Sequence, residues 1–439
     1  MTESAANQLE TLVSLCKRRG FVFQSSEIYG GINAVYDFGP LGVRLRRHIR
    51  DLWWREMVEL RDDVEGVEAA ILMNPRVWEA SGHLSNFSDP LVDCLGKCHQ
   101  RWRADQLTGS TCPNCGGPLS QERQFNLMFK TFIGPVEDES AVAYLRPETA
   151  QGIFVNFKNV ASSSRQRIPF GIAQIGRSFR NEISTGNFIF RMRELEMMEL
   201  EWFCRPGEDA EWFEYWCDRR LGWHQSLGLK AEHLRLRPHA ENEKAHYALA
   251  SSDIEYSYPW GWGELEGIAR RGDFDLRRHQ EASGRDLQYT DPNSGERYLP
   301  YVVEPSVGVD RTFLALLLDA YAEEEVRGET RVVLRLQPAV APFQVAVLPL
   351  SKKPELIELS RRVEHGLRGQ FATEYDDTQS IGRRYRRQDE IGTPLAITID
   401  FDSLEDHAAT IRDRDSMEQI RVPLEQLSVV CAQKLDQAS

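Results

Sequence analysis

The stretch from Gly171 to Phe203 constrains the fold of this chain more than any other. Two strand-like runs, Gly171 to Phe179 and Glu194 to Phe203, flank the turn sequence Ser184-Thr-Gly-Asn187. Upstream, Phe125 to Phe132 and Ala141 to Leu145 are further short runs separated by turns. Strands that follow one another through turns, without intervening helical periods, predict an antiparallel sheet, not a βαβ series. Helical spacing is confined to other segments: Ala5 to Arg19, Val43 to Leu60, Gly207 to Leu227 and the apolar stretch Asp310 to Glu324. The prediction is an α+β fold, an antiparallel sheet flanked by helices. Ser252 to Ile268 and Tyr301 to Glu304 add strands. The run Ala69 to Met73, followed by Asn74-Pro75, predicts a strand ending at the proline.

A boundary is expected near Pro338 to Pro342. Beyond it, the runs Gln344 to Leu348 and Pro394 to Phe401 flank a helical pattern, Lys353 to Gln370. This predicts an α/β domain over 341–439 after a larger one over 1–340. The 439 residues suffice for two or three domains, and 41% hydrophobic with 27% charged residues fits a globular chain. No apolar run approaches the ~18–20 residues of a membrane span, and the polar, acidic start shows no signal peptide. The expectation is a cytoplasmic protein with no membrane partner. The net charge of −14 argues against a nucleic-acid partner on average, unless basic residues cluster.

Four of the eight cysteines fall within 22 positions, inside a polar insert at about 87–120. Cys94 and Cys98 form one pair, and Cys112-Pro-Asn-Cys115 the other, thirteen residues on. Two such pairs joined by a hairpin-length loop can set four thiolates tetrahedrally around zinc. Such a site has no open position, so its role would be structural. The alternative is a set of free or redox-active thiols.

Two charged blocks carry the remaining chemistry. The first is Gly176-Arg-Ser-Phe-Arg-Asn-Glu182 with Phe190-Arg-Met-Arg-Glu-Leu-Glu196. A strand through Arg180 and Glu182 would put both on one face, arginine for phosphate and carboxylates for magnesium or an amine. A surface hairpin of alternating charge is the plainer reading. The second block, Glu304-Pro-Ser-Val-Gly-Val-Asp-Arg311, is a strand end, a glycine turn and an arginine opening a helix. Arg383-Arg-Tyr-Arg-Arg387 interleaves an aromatic with guanidiniums, as phosphate contact with base stacking requires; a solvated helix turn would look the same.

Together these blocks resemble motifs 2 and 3 of the class II aminoacyl-tRNA synthetases, and the helix at Val43 to Leu60 with the segment to Pro75 resembles motif 1, their dimer element. Within that class, Arg146-Pro-Glu-Thr-Ala-Gln-Gly152, Trp78-Glu-Ala-Ser-Gly-His83, Gly261-Trp-Gly-Glu-Leu265, Glu304-Pro-Ser306 and Ile381-Gly-Arg-Arg-Tyr-Arg-Arg-Gln-Asp-Glu-Ile-Gly392 are similar to the homodimeric glycyl-tRNA synthetases. The likeness runs from Ile28-Tyr-Gly-Gly31 to Arg412-Asp-Arg-Asp415.

The resemblance implies a class II catalytic domain with a zinc-ribbon-like insert, then an anticodon-binding domain. It implies glycine activation by ATP and transfer to tRNA(Gly), by a homodimer using ATP, Mg2+ and structural Zn2+ on Cys94, Cys98, Cys112 and Cys115. Arg180, Glu182 and Arg311 would be catalytic. Arg180, Asn181 and Glu182 would meet the α-phosphate and adenine side of ATP, with Phe190 stacked on adenine. Arg191, Met192, Arg193, Glu194 and Leu195 would line the motif 2 loop. Glu264 and Leu265 would complete the ATP site with magnesium, and Gly308, Val309, Asp310 and Arg311 would hold the tail phosphate. The glycine site would comprise Arg103, Glu148, Leu195, Glu196, Met197, Met198, Glu199, Glu304, Pro305, Ser306, Val307 and Gly308. Arg383, Arg384, Arg386 and Arg387 would meet tRNA. Leu195 and Met197 depart from the glycyl pattern, which has Phe and Gln there. Three other readings are a class II synthetase of other specificity, a non-catalytic synthetase-like subunit, and a zinc-ribbon nucleic-acid binder. The last accounts for about thirty residues only.

Overall fold

The computed structural model describes residues 3–183, 186–240, 243 and 247–437. Ser184 and Thr185 of the predicted turn lie outside them. Helix α1 (Glu3–Arg19) buries Leu12, Leu15 and Cys16 and ends in Lys17, Arg18 and Arg19, which complement the helix dipole. Helix α2 (Pro40–Trp54) starts three residues before the predicted Val43, because Pro40 occupies the first turn, where a missing N–H costs nothing. It continues through a π turn at Arg55–Glu59. The predicted strand at Ala69 to Met73 does not form. Pro75 instead opens a short helix, Pro75–Ala80, capped by Asn74, whose Oδ1 accepts the Arg76 N–H at 3.0 Å.

Seven strands form the main sheet: β1 (Val64–Gly66), β2 (Phe170–Phe179), β3 (Glu194–Cys204), β4 (Leu234–Pro238), β5 (Ala250–Tyr258), β6 (Gly261–Gly272) and β7 (Tyr301–Gly308). Their order is β4-β5-β6-β7-β3-β2-β1, antiparallel except for the short edge strand β1. Side-chain alternation gives β3 two different faces. Met198, Leu200 and Trp202 join the core formed with α2, α4 (Asp209–Ser226) and α6 (Val309–Ala320). On the opposite face, Phe203 packs with Phe154 and Phe157 of α3 (Ala150–Ser164) and Leu276 of α5 (Phe274–Ser283). That second cover spans only part of the sheet, and the uncovered part is the floor of a cavity.

Helix α6 stops at Ala320, short of the predicted Glu324. The chain turns into a hairpin, Tyr321–Val326 with Glu329–Leu334, because Arg327 and Gly328 both take positive φ (55° and 80°), the geometry of a two-residue hairpin turn. A second, mixed sheet follows: β8 (Val345–Pro349), β9 (Thr373–Tyr375), β10 (Leu395–Ile399), β11 (Ala408–Asp413) and β12 (Gln419–Pro423), in the order β9-β8-β10-β11-β12. It is flanked by α7 (Pro354–Leu367), α8 (Ile381–Ile391) and α9 (Leu427–Gln437) around its own core. A buried polar junction joins the two parts. Arg331, fully buried on the hairpin, donates to Asp389 of α8 at 2.8 Å, and Arg412 of β11 bonds the same carboxylate at 2.9 Å. Arg19 of α1 reaches Glu390 at 2.6 Å. No helix among the described residues is long and apolar enough to cross a membrane.

Candidate active site and cysteine cluster

A cavity of about 470 Å³ lies on the open face of the main sheet. Its floor comes from β3 and β7. Period two along β3 aims Leu195, Met197 and Glu199 at the cavity, and along β7 it aims Glu304, Ser306 and Gly308. The strands pair with Glu199 opposite Ser306, and the Ser306 hydroxyl donates to Glu199 Oε1 at 2.7 Å. Glu199 Oε2 accepts the Thr149 N–H at 2.6 Å and the Thr149 hydroxyl. Glu304 receives Arg271 Nη1 on both oxygens, at 2.9 and 2.8 Å, while Arg271 clamps Asp275 with Nε and Nη2 at 2.7 and 3.0 Å. Glu148, just before α3, accepts Gln151 Nε2 at 3.0 Å and lies 3.3 Å from His83 Nε2.

Glu304 and Glu148 do not titrate alike. Burial pushes Glu304 up to about 7, against the pull of Arg271 and with help from the charges of Glu199 and Glu148. Burial acts the same way on Glu148, but His83, Arg271 and Gln151 overcome it and hold that carboxyl below the usual range.

The other end of the cavity is cationic. Strand β2 ends at Phe179, so Arg180 and Glu182 sit beyond it, not on one strand face as expected. The chain turns tightly there, with the Glu182 N–H bonded to Arg180 O at 2.8 Å, and both residues face the cavity from the turn. Arg180 Nε donates to Pro147 O at 3.0 Å. Arg311 donates to Glu264 O at 3.0 Å and pairs with the Glu264 carboxylate at 3.1 Å. Its guanidinium lies 4.5 Å from the centre of the Phe190 ring, which is braced edge-on by Tyr258 and Trp260. The aromatic ring expected to stack on adenine and the arginine expected to hold the tail phosphate are therefore in contact. Arg191, Met192, Leu265 and Asp310 complete this end, and Arg103 enters from the insert, ion-paired to Asp89 at 2.9 Å and Asp105 at 2.7 Å.

Several predicted residues lie elsewhere, and strand alternation explains most of them. Glu196 is on the hidden face, held by Arg46 at 2.9 Å and Arg50 at 3.0 Å of α2. Met198 and Val307 belong to the core on that face, as does Val309 at the start of α6, and Pro305 shares their side of β7. Glu194 pairs with Arg177 at the surface. The Arg193 side chain bonds the carbonyls of Asn33 at 2.7 Å and Glu182 at 3.1 Å, and the Asn181 N–H bonds Leu127 O at 2.7 Å. Sequence reasoning missed Thr149, Arg271 and Asp275. Only the alternation of β6 and the i,i+4 spacing of Arg271 and Asp275 hinted at them.

The insert folds as a three-stranded sheet, Ser88–Asp93, Arg101–Arg103 and Arg123–Asn126. Cys94 and Cys98 lie in the loop between its first two strands. They meet Cys112 and Cys115, with all four sulfurs within 4.8 Å of one another. Zinc–thiolate bonds of about 2.3 Å place sulfurs about 3.8 Å apart in a tetrahedron, so the quartet fits that ion. Gly96 and Gly117 are required by close approach: a Cβ on Gly96 would stand 2.9 Å from the Gly117 Cα. On α8 the predicted arginines are not one solvent face. Arg384 is buried and bonds the carbonyls of Gln379 at 2.8 Å and Thr378 at 3.2 Å, and Arg387 pairs with Asp376. Arg386 lies 3.8 Å from Glu329, and Arg383 is exposed. Tyr385 is half-buried against Arg412, 4.9 Å from its ring centre, which leaves little of the ring for base stacking.

Residues 131–321 match the family model of the tRNA synthetase class II core domain (G, H, P, S and T), and residues 344–434 match that of the anticodon binding domain. The glycine–tRNA ligase of Caldanaerobacter subterraneus subsp. tengcongensis is 55% identical, covering 97% of this chain and 98% of that protein. That of Treponema denticola is 54% identical over 95% of each, and that of Thermobifida fusca 51% identical over 97% and 98%. A cavity walled by carboxylates at one end and arginines at the other, on an antiparallel sheet that matches the class II core, agrees with these likenesses along the whole chain: it belongs to the glycine–tRNA ligase family of class II aminoacyl-tRNA synthetases.

Proposed function

We propose that this chain activates glycine with ATP to glycyl-adenylate and pyrophosphate, then transfers glycine to the 3′ end of tRNA(Gly). The observation that carries the reading is the triplet Glu148, Glu199 and Glu304 at one end of a cavity whose other end holds Arg180, Arg191 and Arg311. Glycine offers no side chain to read, so its ammonium must be recognised, and three fixed carboxylates suit it. Leu195 and Met197 form an apolar wall beside them, placed to exclude a β-carbon. A pocket that merely fits a methyl discriminates by about 1–3 kcal/mol; a close wall adds to that.

In the first step the glycine carboxylate attacks the α-phosphorus in line. It is already a nucleophile, so no general base is required. Arg180 at the α-phosphate stabilises charge that grows in the transition state, and the fixed floor supplies orientation. Phe190, with Arg311 against its ring, presents a flat cationic surface for adenine and the neighbouring phosphate tail. Glu264 and Asp253 both line this end, and their oxygens suit the Mg2+ that accompanies ATP, which would neutralise phosphate charge. In the second step the terminal ribose hydroxyl of tRNA attacks the adenylate carbonyl. Residues 1–340 would be the catalytic unit and 341–439 the anticodon-binding unit, with Arg383 and Arg386 the arginines of α8 best placed for phosphate. The working form would be a homodimer.

ATP–pyrophosphate exchange over a panel of amino acids, followed by charging of tRNA(Gly), tests this reading. Exchange with glycine alone supports it; exchange only with another amino acid overturns it. Two further outcomes are expected. Because Glu304 must be ionised to hold an ammonium, and its carboxyl takes up a proton near pH 7, KM for glycine should rise as pH falls through about 7 while KM for ATP changes less. A pH-independent glycine KM would contradict the role of Glu304. Cys94, Cys98, Cys112 and Cys115 would hold Zn2+ at the end of the hairpin whose second strand carries Arg103. Chelation should release about one zinc per chain and lower thermal stability; absence of zinc from the purified protein would refute that ligand set.

A further inference from the structure

One buried group beside the cavity has no part in the mechanism above. Glu201 lies on β3 two residues beyond Glu199, fully buried, on the same side of the sheet. Neither of its oxygens has a hydrogen-bond partner among the described residues. Its surroundings are set by strand register. Glu199 is opposite Ser306 and Trp202 opposite Val303, so the antiparallel count brings Glu201 across from Glu304. Directly opposed side chains on one face are about 4.5–5.5 Å apart at Cβ, and like charges there repel. The floor is therefore two cross-strand pairs in succession, Glu199 with Ser306 and Glu201 with Glu304.

The second pair contains two carboxyls and one nearby cation. Arg271 is committed: Nη1 to both oxygens of Glu304, Nε and Nη2 to Asp275. Glu148 and Glu199 add negative charge at the same end, and no described residue hydrogen-bonds Glu201. Two adjacent buried carboxyls with one cation beside the pair cannot both ionise at low cost; they keep one proton. Glu304 is the member stabilised as a carboxylate by Arg271, so the proton belongs on Glu201. Burial first, and then the charge of Glu304, drive the Glu201 carboxyl well above the usual range, against the opposing pull of Arg271.

We propose that Glu201 is a positioning residue of the glycine site, a neutral carboxylic acid that donates its hydrogen to Glu304 and, with Arg271, holds that carboxylate ionised and aimed at the substrate ammonium. The inference rests on the reading of Glu304 as an ammonium ligand. It assigns a role to a group that touches neither glycine nor ATP. It also explains how so acidic a floor avoids a further unpaired charge. A glutamine at 201 keeps a donor of the same shape and should serve; a methionine keeps the volume and loses the donor.

The test compares wild type, Glu201→Gln and Glu201→Met in glycine-dependent ATP–pyrophosphate exchange, with thermal unfolding measured on each. Glu201→Met is expected to raise KM for glycine on the order of 10-fold, the usual scale for one lost buried hydrogen bond to a charged group, with KM for ATP within about twofold of wild type. Glu201→Gln is expected to restore the glycine KM. A folded methionine variant with wild-type glycine KM, or a glutamine variant as impaired as methionine, overturns the proposal. Infrared difference spectroscopy of wild type against Glu201→Gln gives a readout independent of activity and of the methionine variant's folding. A protonated carboxyl band at neutral pH that is lost with glutamine supports the assignment, and its absence overturns it. Failure of wild type to use glycine at all would instead count against the proposed function.

Discussion

Arg180→Ala should lower glycine-dependent ATP–pyrophosphate exchange by about 10²–10³-fold, the scale for removing one donor aimed at developing transition-state charge. The same substitution should cost little stability. The Arg180 side chain bonds a single backbone carbonyl, Pro147 O at 3.0 Å, and rests 5.6 Å from the Phe87 ring. A partly exposed hydrogen bond of that kind contributes about 1 kcal/mol. Large loss of exchange with a near-native unfolding curve is therefore the expected signature of a residue that acts on the reaction. Near wild-type exchange would sink the assignment of Arg180 to the α-phosphate. The cavity supports this expectation because Arg180 reaches it from a tight turn fixed by backbone hydrogen bonds on both sides, Arg180 N–H to Arg193 O and Glu182 N–H to Arg180 O, each 2.8 Å.

Arg271→Met should behave in the opposite way and unfold the protein more easily. Arg271 is buried to 1% exposure between Asp275 and Glu304. Removing one partner of a buried ion pair leaves uncompensated charge and typically costs about 3–5 kcal/mol. Here two carboxylates lose the same partner. Urea unfolding at neutral pH is the measurement, and a loss below about 1 kcal/mol would contradict the clamp. The pH dependence follows from linkage. Burial already raises the proton affinity of Glu304 against the pull of Arg271; without Arg271 it rises further, so the folded variant binds more protons than folded wild type. Its deficit relative to wild type should shrink as pH falls from neutrality and grow as pH rises. Glycine-dependent exchange should fall as well, because Glu304 loses both its charge partner and its orientation.

These two arginines illustrate how unevenly the site can be read from sequence. Arg180 stands inside a dense, ordered string, Gly176-Arg-Ser-Phe-Arg-Asn-Glu182, which by itself marks it as a candidate phosphate ligand, and it lines the cavity. Arg271 stands in Ile268-Ala-Arg-Arg-Gly272, one of two adjacent arginines with no local clue to which is buried. The strand places them on opposite sides: Arg270 pairs with Asp209 at 2.7 Å, and Arg271 reaches Glu304. Glu196 shows the same limit in reverse. The string Glu194-Leu-Glu-Met-Met-Glu-Leu-Glu201 has four carboxylates and one strand period. Which of them reaches the cavity depends on which face of β3 is open, and that face carries Glu199 and Glu201. On α8, five consecutive positions from Arg383 read as one basic aromatic cluster, yet the 3.6-residue turn sends Arg384 into the protein and leaves Arg383 outside.

By itself the sequence determined the antiparallel character of the main sheet, the order of the charged blocks, the cysteine quartet and the likeness to glycyl-tRNA synthetases. All of these are carried by residue type and spacing within short windows, where local conformational preference and ligand chemistry act directly. Only the tertiary structure decided which carboxylates share the cavity floor, that Arg311 lies against Phe190, that Arg384 is structural and that Glu201 opposes Glu304. Each of these depends on register between strands, or on contacts between segments far apart in the chain. Burial raises the proton affinity of Glu201, while at the buried Glu148 the neighbouring His83, Arg271 and Gln151 overcome the same effect and lower it. The difference lies in the charges that each one meets.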